Sequence, residues 1–145
     1  MQTRNKLMGL CGTLILVSAI GCAQKNVQTY LGAKLARDEI AILTADRSAD
    51  ANVVIRRVNG VDTLRDRSPK IEVLPGTQIV RVEVSKLGGS NDAYADTRSI
   101  NTITFDALPG RAYSVRGKFV DGIGQVWVLD DRNALVPMII APPER

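Results

Sequence analysis

Chemistry in this chain has few possible carriers. Cys22, at the end of Ala19-Ile20-Gly21-Cys22, is its one cysteine outside an apolar N-terminal run, because Cys11 lies within that run. Thiolates are nucleophiles, and this one stands at a boundary between an apolar and a polar stretch. Asp121, Asp130 and Asp131 could converge on a hard cation of the calcium kind. Their spacing is not that of an EF-hand loop, and aspartate beside glycine is also ordinary turn chemistry. Asp62, Arg65, Asp66 and Arg67 make a mixed-charge loop that reads as a solvated connection. Trp127 could stack on a sugar ring, but between Val126 and Val128 it reads as core; Tyr94, in a polar loop, is the better exposed aromatic. The chain has no histidine, so the commonest general base and metal ligand is missing. Ser-His-Asp triads, Cys-His pairs and typical zinc sites are excluded with it. The expectation is therefore no catalytic set, no cofactor and no metal, with Cys22 as the one position of assignable chemistry.

Arg4 and Lys6 give a short basic start, and Leu7 to Ile20 carry no charge and are mostly apolar. About 14 such residues are too few for a permanent transmembrane helix, which needs roughly 20. They suit the apolar region of a signal peptide followed by small residues at a cleavage site. Ser18-Ala19-Ile20-Gly21-Cys22 resembles the lipobox of bacterial lipoproteins. The resemblance implies cleavage between Gly21 and Cys22, lipidation of the Cys22 thiol, and anchoring to the lipid bilayer. Two or more acyl chains hold a protein stably where one does so only marginally. Ala23, rather than aspartate, comes after the cysteine, which resembles the pattern of lipoproteins sent on to the outer membrane. The implied address is the cell envelope, lipid-anchored at the outer membrane and facing the periplasm. The alternatives are an ordinary signal peptide with a chance cysteine, or a buried apolar helix.

Of 145 residues, 124 lie beyond the expected signal peptide, enough for one domain of ordinary size. Arg4 and Lys6 leave with the signal, so 17 basic residues face 15 acidic ones. A net charge of +2 with no basic run and no interleaved aromatics argues against nucleic acid as a partner. Twelve of those 17 are arginine, whose planar fork pairs with phosphate and carboxylate. Anionic lipid or glycan is thus conceivable, against the plainer reading of a solvated sheet face. With Cys22 acylated, no thiol is left for a disulfide, although an exported protein could form one. The domain must be held by its apolar core.

Residues 22–38, the lipidated cysteine and a polar stretch, read as a tether that becomes ordered near Tyr30 and Leu31. Residues 39–145 read as an all-β domain: short runs rich in Val, Ile and Thr between Gly, Pro, Asn and Asp. The expected strands are Ile40–Thr44, Asn52–Val58, Lys70–Leu74, Gln78–Leu87, Ser99–Ala107, Ala112–Val120, Gln125–Leu129 and a weaker Leu135–Ile140. Asn59-Gly60 is a strong two-residue hairpin signal. Pro75-Gly76 and Pro109-Gly110 suit type II turns, Asp121 to Gly124 joins two runs, and Gly88 to Asp92 makes a longer loop. Val80, Val82 and Val84 alternate with Arg81, Glu83 and Ser85. Ile103, Phe105 and Ala107 alternate with Thr104 and Asp106; Tyr113, Val115, Gly117 and Phe119 with Ser114, Arg116 and Lys118. A period of two means one buried and one wet face. Seven or eight such strands predict a single antiparallel β-sandwich, with a small barrel as the alternative.

Leu74-Pro75-Gly76 and Leu108-Pro109-Gly110 echo one another, either as a duplicated hairpin or as one turn solution used twice. A strand ending in Leu-Pro-Gly and running into alternating valines, then a Pro-Gly-Arg-x-Tyr hairpin, is similar to small bacterial lipoproteins with a PEGA-like β-sandwich. Tyr30-Leu31-Gly32 before Glu39-Ile40-Ala41 fits their start. The likeness spans roughly Tyr30 to Asp131, rests on turn residues and brings no catalytic residues with it.

The expected function is that of a non-catalytic accessory lipoprotein, anchored at Cys22 and contacting an envelope protein, for example through an edge strand. The alternative is a binding module for glycan or anionic lipid (peptidoglycan or lipopolysaccharide). An enzyme using only Asp, Glu, Lys, Ser and Tyr is a minor third.

Overall fold

The computed structural model describes residues 26–46, 51–64, 70–86 and 98–142. Cys22 with its neighbours Ala19 to Gly21, the mixed-charge residues Arg65, Asp66 and Arg67, and Tyr94 lie outside the described residues.

Every regular element among the described residues is a strand: β1 (Val27–Gln28), β2 (Ala41–Ala45), β3 (Ala51–Val58), β4 (Val61–Asp62), β5 (Ile71–Val73), β6 (Gly76–Lys86), β7 (Arg98–Ala107), β8 (Ala112–Val120), β9 (Ile123–Asp130) and β10 (Ile139–Ile140). They form two five-stranded sheets packed together, consistent with a β-sandwich. Sheet A has the order β1-β5-β2-β8-β9 and sheet B the order β10-β7-β6-β3-β4.

The expected alternation sets the inner faces. Val80, Val82 and Val84 of β6, Ile103 and Phe105 of β7, and Tyr113 and Val115 of β8 are buried, together with Leu43, Ile71, Val73, Val126 and Val128. The Phe105 and Tyr113 rings meet across the sheets at 5.4 Å in a tilted pair, a favourable arrangement of ring quadrupoles. Asn59 and Gly60 take φ of 49° and 84°. Two successive positive values define the type I′ turn whose twist matches a hairpin, here β3–β4. Asp121 and Gly122 repeat that geometry between β8 and β9.

Three expectations need correction. The architecture is not wholly antiparallel: β2 pairs with β8 in parallel, and so does β1 with β5. Neither Leu-Pro-Gly turn makes a hairpin. Leu74-Pro75-Gly76 carries the chain from sheet A to sheet B, and Leu108-Pro109-Gly110 carries it back. Because Gly76 lies opposite Ala107 in the β6–β7 ladder, the two crossings stand side by side at one end. Trp127 is not core: Val126 and Val128 point inward, and Trp127, half-buried, faces out opposite Arg116.

The N-terminal stretch expected as tether also contributes to the sheet. Val27 packs on the core, and the Val27 and Thr29 N–H groups donate to the Lys70 and Glu72 carbonyls at 2.9 and 3.1 Å.

Candidate functional site

A cluster of arginines able to recognise a ligand lies on the outer face of sheet B, and a bulge in β3 builds it. Val53, Ile55 and Val58 are all buried, although strict alternation would turn residue 57 inward, not 58. The β3–β6 register slips between Ile55 and Arg57. A bulge inserts one extra residue and re-aims the rest of its strand, so Arg56 and Arg57 both line the outer surface. Thr63, 1% exposed, closes the bulge. Its hydroxyl donates to the Ile55 carbonyl at 2.8 Å and its N–H to the Arg56 carbonyl at 3.1 Å. Both bonds run from the residue just after β4 to the bulged segment of β3.

Arg81 on β6 lies opposite Arg57, and Arg98 opens β7. With Arg56, Arg57, Asp62, Leu64 and Ile100 they line a shallow concavity of about 250 Å³. Glu83 stands in their midst on β6. It is on the outward side of its strand, yet only 6% exposed. Arg56 ion-pairs with one carboxylate oxygen, and the Arg98 Nε meets the other at 3.1 Å. One carboxylate therefore orders two guanidinium groups. Ile79 and Ile100 on the same sheet, and Leu64 just beyond β4, are exposed apolar side chains.

Chemically this surface can pair with carboxylate or phosphate through rigid guanidinium forks and cover aliphatic area around them. Nothing in it activates a nucleophile. Sequence patterning placed Glu83 in water and did not mark the bulge. The one signal for the bulge was the change of parity from Val53 and Ile55 to Val58.

The three aspartates considered for a cation do not converge. Asp130 and Asp131 share the Arg111 guanidinium at 2.7 and 2.5 Å, whereas Asp121 forms the turn at the opposite end of the β8–β9 hairpin. Asp130 is committed further. Its carboxylate accepts the Ala134 and Arg132 N–H groups at 2.8 and 2.9 Å. These bonds, the Ala134 one foremost, and the nearby arginines outweigh desolvation and hold its pKa below the usual 3.8. Arg116 pairs with Asp46 at 2.9 Å beside the outward Trp127. Among the described residues no group of three or more acidic or cysteine side chains is arranged to hold a metal ion.

Comparison with known proteins finds no matching family model, no matching curated protein and no matching solved structure.

Proposed function

We infer that this chain is a membrane-anchored, non-catalytic interaction module of the cell envelope, which meets an acidic protein partner through the arginine face of sheet B. The observation that carries the reading is the gathering of Arg56, Arg57, Arg81 and Arg98 around exposed Leu64 and Ile100. Arginine is among the residues that protein interfaces concentrate, and lysine among those they deplete. The Glu83 carboxylate pre-orders two of the four, which lowers the entropy lost on docking. The anchor is Cys22, acylated after cleavage behind Gly21, which places the module on a lipid bilayer at the outer membrane. The sequence likeness of Ser18 to Cys22 to a lipobox supports the same reading.

The test compares the full chain with an Arg57→Glu/Arg98→Glu variant, both captured from envelope extracts after crosslinking. A partner recovered with the wild type and lost at least about tenfold with the variant, a change of about 1.4 kcal/mol, supports the reading. Recovery of no partner, or equal recovery with the variant, overturns it. The arginine forks also favour a second reading, a module for lipopolysaccharide or other anionic glycan or lipid. In that case the full chain binds lipopolysaccharide micelles directly, and binding falls steeply as salt rises.

A further inference from the structure

A second concavity, on the outer face of sheet A, joins opposite charges to an apolar wall. Strand β5 reads Ile71-Glu72-Val73, and its alternation buries Ile71 and Val73 in the core. Glu72 therefore projects from the outer face, where a carboxylate would ordinarily be wet. Instead it is 3% exposed, beneath a cleft of about 430 Å³ lined by the chain from Asn26 to Ile40, by β2 and by Ala112. That volume lies within the range of small-molecule sites.

A buried carboxylate costs several kcal/mol unless a counter-charge and hydrogen bonds attend it. Glu72 Oε1 accepts one neutral hydrogen bond, from the Asn26 Nδ2 at 2.6 Å. Its counter-charge is Lys34, whose ammonium stands 3.6 Å away and whose side chain is 70% exposed. The ammonium end of this long pair is solvated, so a ligand cation can take its place provided that the buried carboxylate stays paired. The carboxylate is not needed to hold the strand either. Backbone pairing of Val27 and Gln28 with Ile71 and Glu72 does that, helped by Thr29, whose N–H and hydroxyl both donate to the Glu72 carbonyl.

We propose that this cleft binds an aliphatic α-amino acid, its ammonium on Glu72 and its carboxylate on Lys34. The two protein charges lie as close together as the two charges of an amino-acid head group, with the signs reversed. Leu35, half-buried, lines the same cleft above the buried Ile40 and Ile42 and covers the aliphatic side chain. Arg37 and Lys70 add positive charge at the cleft, so a plain amine is repelled. A plain carboxylate is drawn by the same cations but brings no counter-charge to the buried Glu72. The zwitterion satisfies both.

L-leucine is the probe, titrated by calorimetry into the full chain purified from membranes in detergent. The controls are 4-methylpentanoate, which lacks the amine, and isopentylamine, which lacks the carboxylate. L-leucine gives saturable binding and neither control does. Glu72→Gln keeps an oxygen for Asn26, so it melts with the wild type yet loses leucine binding at least tenfold. Lys34→Met, altering a mostly exposed side chain, repeats the comparison independently of Glu72 and weakens binding too. No saturable leucine binding up to about 10 mM, where less than 3 kcal/mol of affinity would remain, overturns the proposal. So does binding that survives both substitutions, or binding of either control as tight as leucine.

Discussion

Gln78 of β6 and Asn59 of the β3–β4 turn meet side chain to side chain, the Asn59 Nδ2 donating to the Gln78 Oε1 at 2.9 Å. Gln78 is 2% exposed and has no free donor, because its Nε2 gives one hydrogen bond to the Leu74 carbonyl and one to the Gly76 carbonyl, at 2.8 and 3.0 Å. Asn59 in turn accepts the Ile79 N–H at 2.8 Å. One buried amide therefore ties the Asn59-Gly60 hairpin to the crossing at Leu74-Pro75-Gly76. The second crossing is pinned differently: the Leu108 N–H donates to the Tyr113 hydroxyl at 2.9 Å.

Gln78→Leu keeps the volume and removes all three bonds, leaving two carbonyls and the Asn59 amide short of partners. A loss of about 2–4 kcal/mol is expected from unsatisfied buried groups at 1–3 kcal/mol each, partly relieved by water. Urea denaturation measures it, and a midpoint equal to wild type would refute the pin.

Thr63→Val tests the bulge behind the arginine face. The hydroxyl bond to the Ile55 carbonyl is lost while shape is retained. We expect a loss of about 1–3 kcal/mol and, in the capture experiment, weaker partner recovery, since the bulge that turns Arg56 and Arg57 outward is then held on this side by the backbone N–H bond alone. Stability lost with capture unchanged would separate the bulge from recognition.

Gly124→Ala tests how closely the sheets approach at the β7–β9 corner. A methyl group there would lie 2.6 Å from the Ser99 Cβ and 2.9 Å from the Val84 Cβ. Overpacking of this kind costs about 1–3 kcal/mol. Ser99→Gly removes the nearer obstacle and should restore part of the loss in the double variant. Simple additivity of the two changes would show that the atoms do not meet.

Asp130 gives the acid limb a definite sign. Its pKa is held below 3.8, chiefly by the Ala134 N–H, with the Arg132 N–H and Arg111 assisting. A depressed carboxyl stabilises the fold at pH above its unfolded value, and that contribution fades as pH falls from near 3.8 through the folded value. Asp130→Asn should flatten the decline of melting temperature below about pH 4. An unchanged acid limb would show that other carboxyls govern it.

Cys22→Ser tests the anchor read from the sequence. The variant loses its lipid and remains unprocessed or leaves the membrane fraction, as seen by labelling with a palmitate analogue and by fractionation. A variant still cleaved and still membrane-bound would remove the lipoprotein reading.

Features that depend on near neighbours in the chain were legible in the sequence. The inward valines of β6, the faces of β7 and β8, and the Asn59-Gly60 turn arise from a period of two and from tolerance of positive φ. Features that depend on which strand lies beside which were settled only when the sheets came together. Parallel pairing of β2 with β8 joins residues about 70 positions apart, and no local pattern encodes such a partner. Leu-Pro-Gly specifies a reversal of direction but not whether the next strand stays in its sheet. Trp127 sits in an apolar run, yet its parity puts it outside beside Arg116. Glu72 and Glu83 are burials of the same origin: each points away from the core and is covered by side chains from elsewhere in the chain. A charge facing outward is dry only if something distant covers it, and that cover is a property of the assembled sheets.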